Sequence, residues 1–565
     1  MRRCIIPLIL LIIPLASISA SERPVVGAIR WDAWHTPTGN NPAVAMIASL
    51  GPRQYHYRLP FFANVAGEND ITLGGYTQDI LDREIGFAKA GGLGYWAFLL
   101  YETNSAMSDA LGFYLSSSRK QDMPFCIIAT PNTFGNKAQF RERMKRMVTL
   151  MTEPSYQCVQ NGRPLMYLFD VRDAWIPSWG GETNTRALFD EFRSAVKAAG
   201  RGDPYITVMD FNAPHGKKIA DITGSQAIST YAKSGPMNGA TPYQMLAKHA
   251  ADFWEQCALT GMDVVPIVMA GWDRRPRIEH PVPWEKNQKP GVGIEHFYVM
   301  PTPQELAAHI QDAIQWCVDN QTSAGAQTVI VYAWNEHDEG GYLCPTLNDD
   351  GSANTGRLSA IAGMLSSFAD LPTKTSGELP CEGMLLRLDA DDAARIVMEN
   401  GSITQWNDSS ERGNDAVAAD SRVNPVSLPG GRRALRFNGG YFRIPSIKAE
   451  GTVTAVTVTR RTAGQPTGKF GRIVSFYDGS TSTNNAPADW MAPSWCVTVL
   501  DEKPYDMNCR IITAGKIDGL TVGANASRNG DVFYGDIAEI IVYDRALSTD
   551  EERSIRIAMR KKWMH

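Results

Sequence analysis

The chain has 565 residues, 44% of them apolar and 20% charged, the make-up of an ordinary globular protein with room for more than one core. Its net charge is −5 and no long basic block interrupts it, so nothing attracts a polyanion and nucleic acid drops out as a partner.

The first residues, "MRRCIIPLILLIIPLASISAS", set two arginines before an apolar stretch of about a dozen residues and then small residues, the order of a secretory signal peptide. The apolar run is short for a membrane span, so an integral span is not expected, and an uncleaved anchor is the alternative. The expectation is a signal over residues 1–20, a mature start near Ala20 to Glu22, and a secreted, periplasmic or cell-surface protein. Cys4 precedes the apolar run, which argues against a lipoprotein. Nine cysteines suit an oxidising compartment, show no metal-binding spacing, and suggest Cys496–Cys509 as a disulfide.

From Val25 onward, short β-rich runs alternate with helical stretches. Eight runs read as buried parallel strands: 25–30, 94–98, 125–130, 165–170, 205–210, 227–231, 264–271 and 328–334. Helices are expected between them, among them "TQDILDREIGFAKAGG", which ends in glycine, and "TPQELAAHIQDAIQWCVDN", where Thr302 and Glu305 form a capping box. Eight strands with intervening helices over residues 21–370 predict an α/β fold, a (β/α)8 TIM barrel. A doubly wound open sheet is the alternative, and no G-x-G-x-x-G follows the first strand to support it.

"ADLPTKTSGELP" reads as a linker, placed at 371–380. Residues 381–565 then carry short alternating runs separated by Gly, Asn and Asp turns, which predicts an antiparallel β-sandwich. "STDEERSIRIAMRKKW" closes the chain as a helix, with Ser548 as cap and Glu551 three residues on.

A (β/α)8 barrel keeps its active site at the C-terminal ends of its strands. Those ends offer acidic or amide groups beside aromatic rings, the combination that stacks on a sugar face and bonds its hydroxyls. The substrate-binding candidates are Trp31, Asp32, Tyr95, Trp96, Glu102, Asp170, Asp210, Asn212, Trp272, Asp273, Trp334, Asn335 and His337. Core packing is the alternative for any single tryptophan. In "YAWNEHDEGGYL" the glutamates Glu336 and Glu339 stand three apart. If that segment turns helically, their side chains come within about 5–6 Å of each other. Retaining glycosidases use carboxyl groups at roughly 5–5.5 Å, and two sharing a site cannot both ionise easily. A solvated acidic loop is the alternative.

"YAWNEHDEGGYL" resembles the W-N-E-W-x-E-G signature of glycoside hydrolase family 99-like proteins, including the WbsX-like group. "YHYRLPFF", "DREIGFAKAGGLGYWAF", "NGRPLMYLFDV" and "GWDRRPR" resemble stretches of the same group in the same order, so the likeness spans residues 25 to 370. The resemblance implies a (β/α)8 barrel and an exported glycoside hydrolase acting on a carbohydrate without a required cofactor. It also implies catalytic roles. Glu336 would be the base toward the sugar 2-hydroxyl, which attacks its own anomeric carbon. Glu339 would be the acid/base, with Asn335 and His337 orienting the pair. His337 stands where the signature has an aromatic residue, which puts the endo-mannosidase substrate in doubt.

"WNDSSERGNDAVA", "ALRFNGGYFRIP" and the closing "GDIAEIIVYDRALSTDEERSIRIAMRKKW" resemble the laminin G-like, concanavalin A-like jelly roll. Asp389, Asp408 and Asp415 are oxygen donors suited to a structural calcium, with turn capping as the alternative. Two other functions stay open. A WbsX-like glycosyltransferase would need a nucleotide sugar, and the chain shows no P-loop or Rossmann fingerprint. A non-catalytic glycan-binding protein would not need both glutamates. The oligomeric state is not legible.

Overall fold

The computed structural model describes residues 23–36, 42–73, 75–367, 377–428, 431–461, 471–476, 488–491, 506–525 and 531–563. The signal segment, Cys4, Cys496 and most of the linker lie outside the described residues, and nothing is described of the Cys509 side chain. The chain divides into two compact units, Met1–Lys374 and Thr375–His565. Among the described residues no helix is long and apolar enough to cross a membrane.

The first unit is built on parallel strands β1 (Val25–Arg30), β2 (Tyr95–Leu99), β3 (Phe125–Ala129), β4 (Arg163–Phe169), β5 (Tyr205–Met209), β6 (Ala227–Ser229), β7 (Asp263–Val264 and Ile267–Met269) and β8 (Thr328–Tyr332). Each falls where an apolar run stands in the sequence, because strands covered on both faces need apolar residues at consecutive positions. β1 pairs with both β2 and β8, and neighbours follow in chain order from β2 to β6.

The seventh run, read as one strand, is split at Pro266, which has no N–H to give a ladder. Its first half pairs with β6 and its second half with β8. Val265 N donates to Ile228 O at 3.1 Å and Ile330 N to Pro266 O at 2.9 Å, so pairing continues around the break. The result is a TIM-like curled parallel sheet.

The helices between strands follow their caps. α1 (Gln78–Ala90) starts where the Thr77 side chain accepts from Ile80 N, and buries Leu81, Ile85 and Ala88 along one stripe. It stops at Gly91 and Gly92. Gly92 has φ +78°, and a Cβ there would lie 2.8 Å from Leu365. α2 (Pro303–Asp319) opens with the expected capping box: Glu305 Oε2 accepts from Thr302 N at 2.8 Å, and Thr302 Oγ1 accepts from Glu305 N at 3.2 Å.

The second unit is an antiparallel sheet curled on itself, eleven-stranded among the described residues. Its strand Tyr534–Tyr543 pairs with Met384–Asp389, Arg433–Asn438 and Tyr441–Arg461. Successive side chains of a strand point to opposite faces. Ile540 and Val542 accordingly enter a core with Leu386, Trp406 and Phe442, while Ile541 and Tyr543 pack under the helix Thr549–Trp563 against Ile555 and Met559. Ser548 and Glu551 cap that helix reciprocally. Buried Glu539 accepts from Arg387 at 2.8 Å, Lys562 at 2.9 Å and the Trp563 ring at 2.8 Å, fastening the helix to the sheet.

Of the three aspartates considered for calcium, Asp408 accepts from Arg387 N, Ser410 N and Asn414 N, and Asp415 accepts from Asp408 N. Asp389 pairs with Lys562 and Arg387. Their oxygens thus cap turns and hold side-chain cations. Among the described residues no cluster of three or more His, Cys, Asp or Glu is arranged to hold a metal ion.

Candidate active site

β8 runs out at Tyr332, and the chain then folds into a tight hairpin in which Asn335–Glu336 pairs with Gly341–Tyr342. Between these arms His337–Glu339 forms one turn of 3-10 helix, the helical turn that the spacing of the glutamates required. Two glycines let it close. Gly340 has φ +79°, and a Cβ on Gly341 would lie 2.3 Å from the Tyr332 ring.

The turn presents Glu336, Asp338 and Glu339 to one guanidinium, that of Arg277 in the short helix Arg275–Glu279 after β7. Arg277 Nη1 donates to Glu339 Oε1 at 2.5 Å and Nη2 to Glu336 Oε2 at 3.2 Å, while Nε and Nη2 hold the two oxygens of Asp338 at 2.5 and 3.1 Å. All four residues are buried, with Glu336 3% and Glu339 7% exposed.

The two glutamates differ in their remaining partners. Glu336 Oε1 accepts from the Tyr231 hydroxyl at 3.0 Å. Glu339 Oε1 also accepts from Arg274 Nε at 2.9 Å, and its Oε2 from the Tyr332 hydroxyl. Burial, with Glu339 alongside, pushes the Glu336 carboxyl well above the usual range despite Arg277. Burial would also raise Glu339, but Arg277, Arg274 and Tyr332 outweigh it and hold that carboxyl below its ordinary value. Of the two carboxyls, then, Glu336 is the one that its surroundings favour for a proton and Glu339 the one favoured for the charge. Burial raises both phenols, so Tyr231 and Tyr332 stay donors.

Aromatic rings surround the pair. Trp31 meets Trp284 edge-on at 5.5 Å, and Arg277 stands 5.2 and 5.7 Å from their rings. Trp31 Nε1 donates to the Tyr101 hydroxyl at 2.9 Å. On the other side Tyr332 lies 5.6 Å from Trp272 and 5.7 Å from Tyr231, which stacks on Phe169 at 4.7 Å. Trp284 is 41% exposed and gives the ring of aromatics a solvent edge.

Asn335 and Asp32 support the turn. Asn335 Oδ1 accepts from Trp31 N, and its Nδ2 donates to Asp32 Oδ1, both at 2.9 Å. Asp32 is held in turn by Arg30 at 2.7 Å, and it lines a small recess with His35, Tyr76 and Asp109.

Several candidates lie elsewhere. Tyr95 is wholly buried, bonded to the Tyr167 hydroxyl at 2.7 Å, and fills the space over Gly27; it is core, not a sugar contact. Trp96 and Trp334 pack on each other at 5.1 Å, with Arg30 4.4 Å from the Trp96 ring and Trp334 Nε1 donating to Glu84 at 2.9 Å; these too are core. Asp273 is buried between Arg58 and Arg275, which takes up its charge. His337 does not orient the pair. Its Nδ1 donates to Arg58 O at 2.5 Å, its ring stacks on Tyr342 at 4.6 Å, and burial depresses it to about 3, so it is neutral.

Glu102 is exposed and paired with Arg143. Asp170, at φ +58°, pairs with Arg172 at 2.8 Å. Asn212 caps the helix Ala213–Thr223 by accepting from His215 N, and Asp210 accepts from the His215 ring at 2.6 Å. Cys126, Cys158, Cys257, Cys317, Cys344 and Cys381 are free.

Sequence reading missed Arg277, Arg274, Tyr231, Tyr332 and Trp284. Both arginines stand in the "AGWDRRPR" strand end, where the acidic residue drew the choice. Tyr231 ends the sixth run, which carries no carboxylate or amide to mark it.

No family model matches the chain, and no curated protein matches it. Among solved structures it is similar to the GH99 endo-alpha-mannosidase from Bacteroides thetaiotaomicron in complex with BIS-TRIS-propane, at 14% identity, covering 61% of this chain and 96% of that one with a TM-score of 0.39. A second structure of that enzyme gives 14% identity, 61% and 97% coverage and a TM-score of 0.38. A Trypanosoma rangeli sialidase complex matches at 16% identity over 39% of this chain and 43% of that one, with a TM-score of 0.23.

Proposed function

We propose that the chain is an exported glycoside hydrolase, related to family 99, that cleaves a poly- or oligosaccharide with retention through the sugar 2-hydroxyl. One observation carries the reading: two buried glutamates at the end of β8 share one guanidinium while their other partners push the two carboxyls in opposite directions. Carboxyl pairs whose environments push them apart divide acid from base work. The aromatic rings around the pair, Trp31, Trp272 and Trp284, suit the apolar faces of a sugar. In turnover Glu336 takes the proton of the 2-hydroxyl as that oxygen closes on the anomeric carbon. Glu339 protonates the departing oxygen and then activates water. No cofactor enters this scheme. Residues 381–565 are proposed to be a laminin G-like accessory domain joined through 371–380, and residues 1–20 an export signal.

The test is a panel of polysaccharides, including α-mannans and sulfated glycans, incubated with the protein, reading released reducing ends and their anomeric configuration by NMR. Release with retained configuration, abolished in the double variant Glu336→Gln/Glu339→Gln, is expected. Release that survives the double variant, or an inverted product, refutes the reading.

A further inference from the structure

Glu339 reaches a leaving group only through an oxygen that is free to bond to it, and in this structure neither is. Oε2 is taken by Tyr332, which is wholly buried, and Oε1 by Arg277 and Arg274. Arg277 is fixed, since each of its three nitrogens is bound to a buried carboxylate. Arg274 differs in two respects. Its side chain is 26% exposed, the most open of the three groups that hold Glu339. Its Nη2 also holds Glu285, a partly exposed partner that would keep the guanidinium paired if it left Glu339. The Trp272 ring, 5.6 Å away, offers a further surface for its face.

We propose that Arg274 is a positioning residue that releases Glu339 and pairs with Glu285 alone when a glycoside enters, freeing Glu339 to act on the departing oxygen. The inference rests on the glycosidase reading and removes a conflict within it: the acid must take up a proton and meet the departing oxygen, yet two arginines and Tyr332 occupy both oxygens of Glu339 and favour its charged form. The charged and titratable groups around Glu339 are Arg274, Arg277, Tyr332, Glu336, Asp338 and Glu285, with Tyr231 on the far oxygen of Glu336. Of these only Arg274 combines a positive charge with an exit.

The test uses the full chain with 13C-labelled glutamate carboxyls titrated by NMR, Glu339 being assigned by difference with Glu339→Gln. In Arg274→Ala the Glu339 titration should rise by about one pH unit or more, the size of effect expected from losing a close opposite charge. The alkaline limb of kcat/KM should move up with it. In Glu285→Gln the arm loses its alternative partner, so Glu339 should titrate lower and kcat should fall. Opposite titration shifts follow from charge alone in any ion pair; the readout that a fixed pair would not give is kcat, which should be kept or raised in Arg274→Ala and should fall in Glu285→Gln. An unmoved Glu339 titration in Arg274→Ala overturns the inference, as do parallel losses in both variants. If the protein cleaves no glycan, the titration still decides Arg274; if it cleaves glycans and the titration is unmoved, the glycosidase reading stands without it.

Discussion

Removing the glutamates one at a time separates their roles. Glu339→Gln should lose most activity on natural glycosides and keep more on substrates with highly activated leaving groups, which need little protonation. Glu336→Gln should depress both kinds, because attack by the 2-hydroxyl is common to them, and a 2-deoxy substrate should fail. Full activity in either variant, read on paired natural and activated substrates, contradicts the assignment. The two glutamates stood out because an apolar run ends abruptly in polar residues, a pattern that a barrel strand shares with a solvated acidic loop, and their burial sets the loop aside. The tryptophans were not separable from one another. Trp31 and Trp272 lie at the site while Trp96 and Trp334 lie in the core, and alternation along a strand does not distinguish two buried faces. Arg277 was hidden for a different reason. An arginine at a strand end is ordinary until the fold shows three carboxylates converging on it.

At the scale of elements, the hairpin after β8 couples backbone shape to chemistry. Gly341 lies against the Tyr332 ring, and a Cβ there would lie 2.3 Å from it. Gly341→Ala must displace that ring, and with it the hydroxyl on Glu339. Crowding of this kind costs about 1–3 kcal/mol. The variant should therefore unfold at lower temperature in a thermal melt and lose more activity than Tyr332→Phe, which deletes the hydroxyl alone. Equal melting of Gly341→Ala and the parent chain would show the ring to be free to move. The elements themselves were largely readable. Eight apolar runs became eight strands, and the caps at Thr302 and Ser548 formed as spaced. The split of β7 at Pro266 follows from the missing N–H, which the unbroken apolar character of the run conceals.

For the whole molecule, the two units should respond to acid in different windows. In the first, His309 is buried, stacked on Trp254 and bonded through Nδ1 to the Tyr243 hydroxyl at 3.0 Å, and burial depresses it to about 3. An unfolded histidine binds a proton near pH 6.5. Between pH 6.5 and about 3 the unfolded chain thus holds one more proton at this residue than the native one, and stability falls as pH falls. The slope is about 1.4 kcal/mol per pH unit. Glu336, whose carboxyl burial pushes upward in the fold, contributes with the opposite sign, so the comparison must be a difference against His309→Asn. In the second unit Glu551 is lowered to about 2, first by Arg545 and then by the cap at Ser548. Its contribution is present above the ordinary glutamate value of about 4.3 and is lost as pH falls below that. Cleavage within 371–380 should yield two folded pieces. In calorimetry the 21–370 piece should weaken from about pH 6.5 downward and the 381–565 piece only below about 4.3. His337 is depressed to about 3 in the same unit and acts with the same sign, so His309→Asn should remove about half of the histidine response of the first piece and leave the second untouched; an unchanged response in the first piece would show that His309 does not contribute.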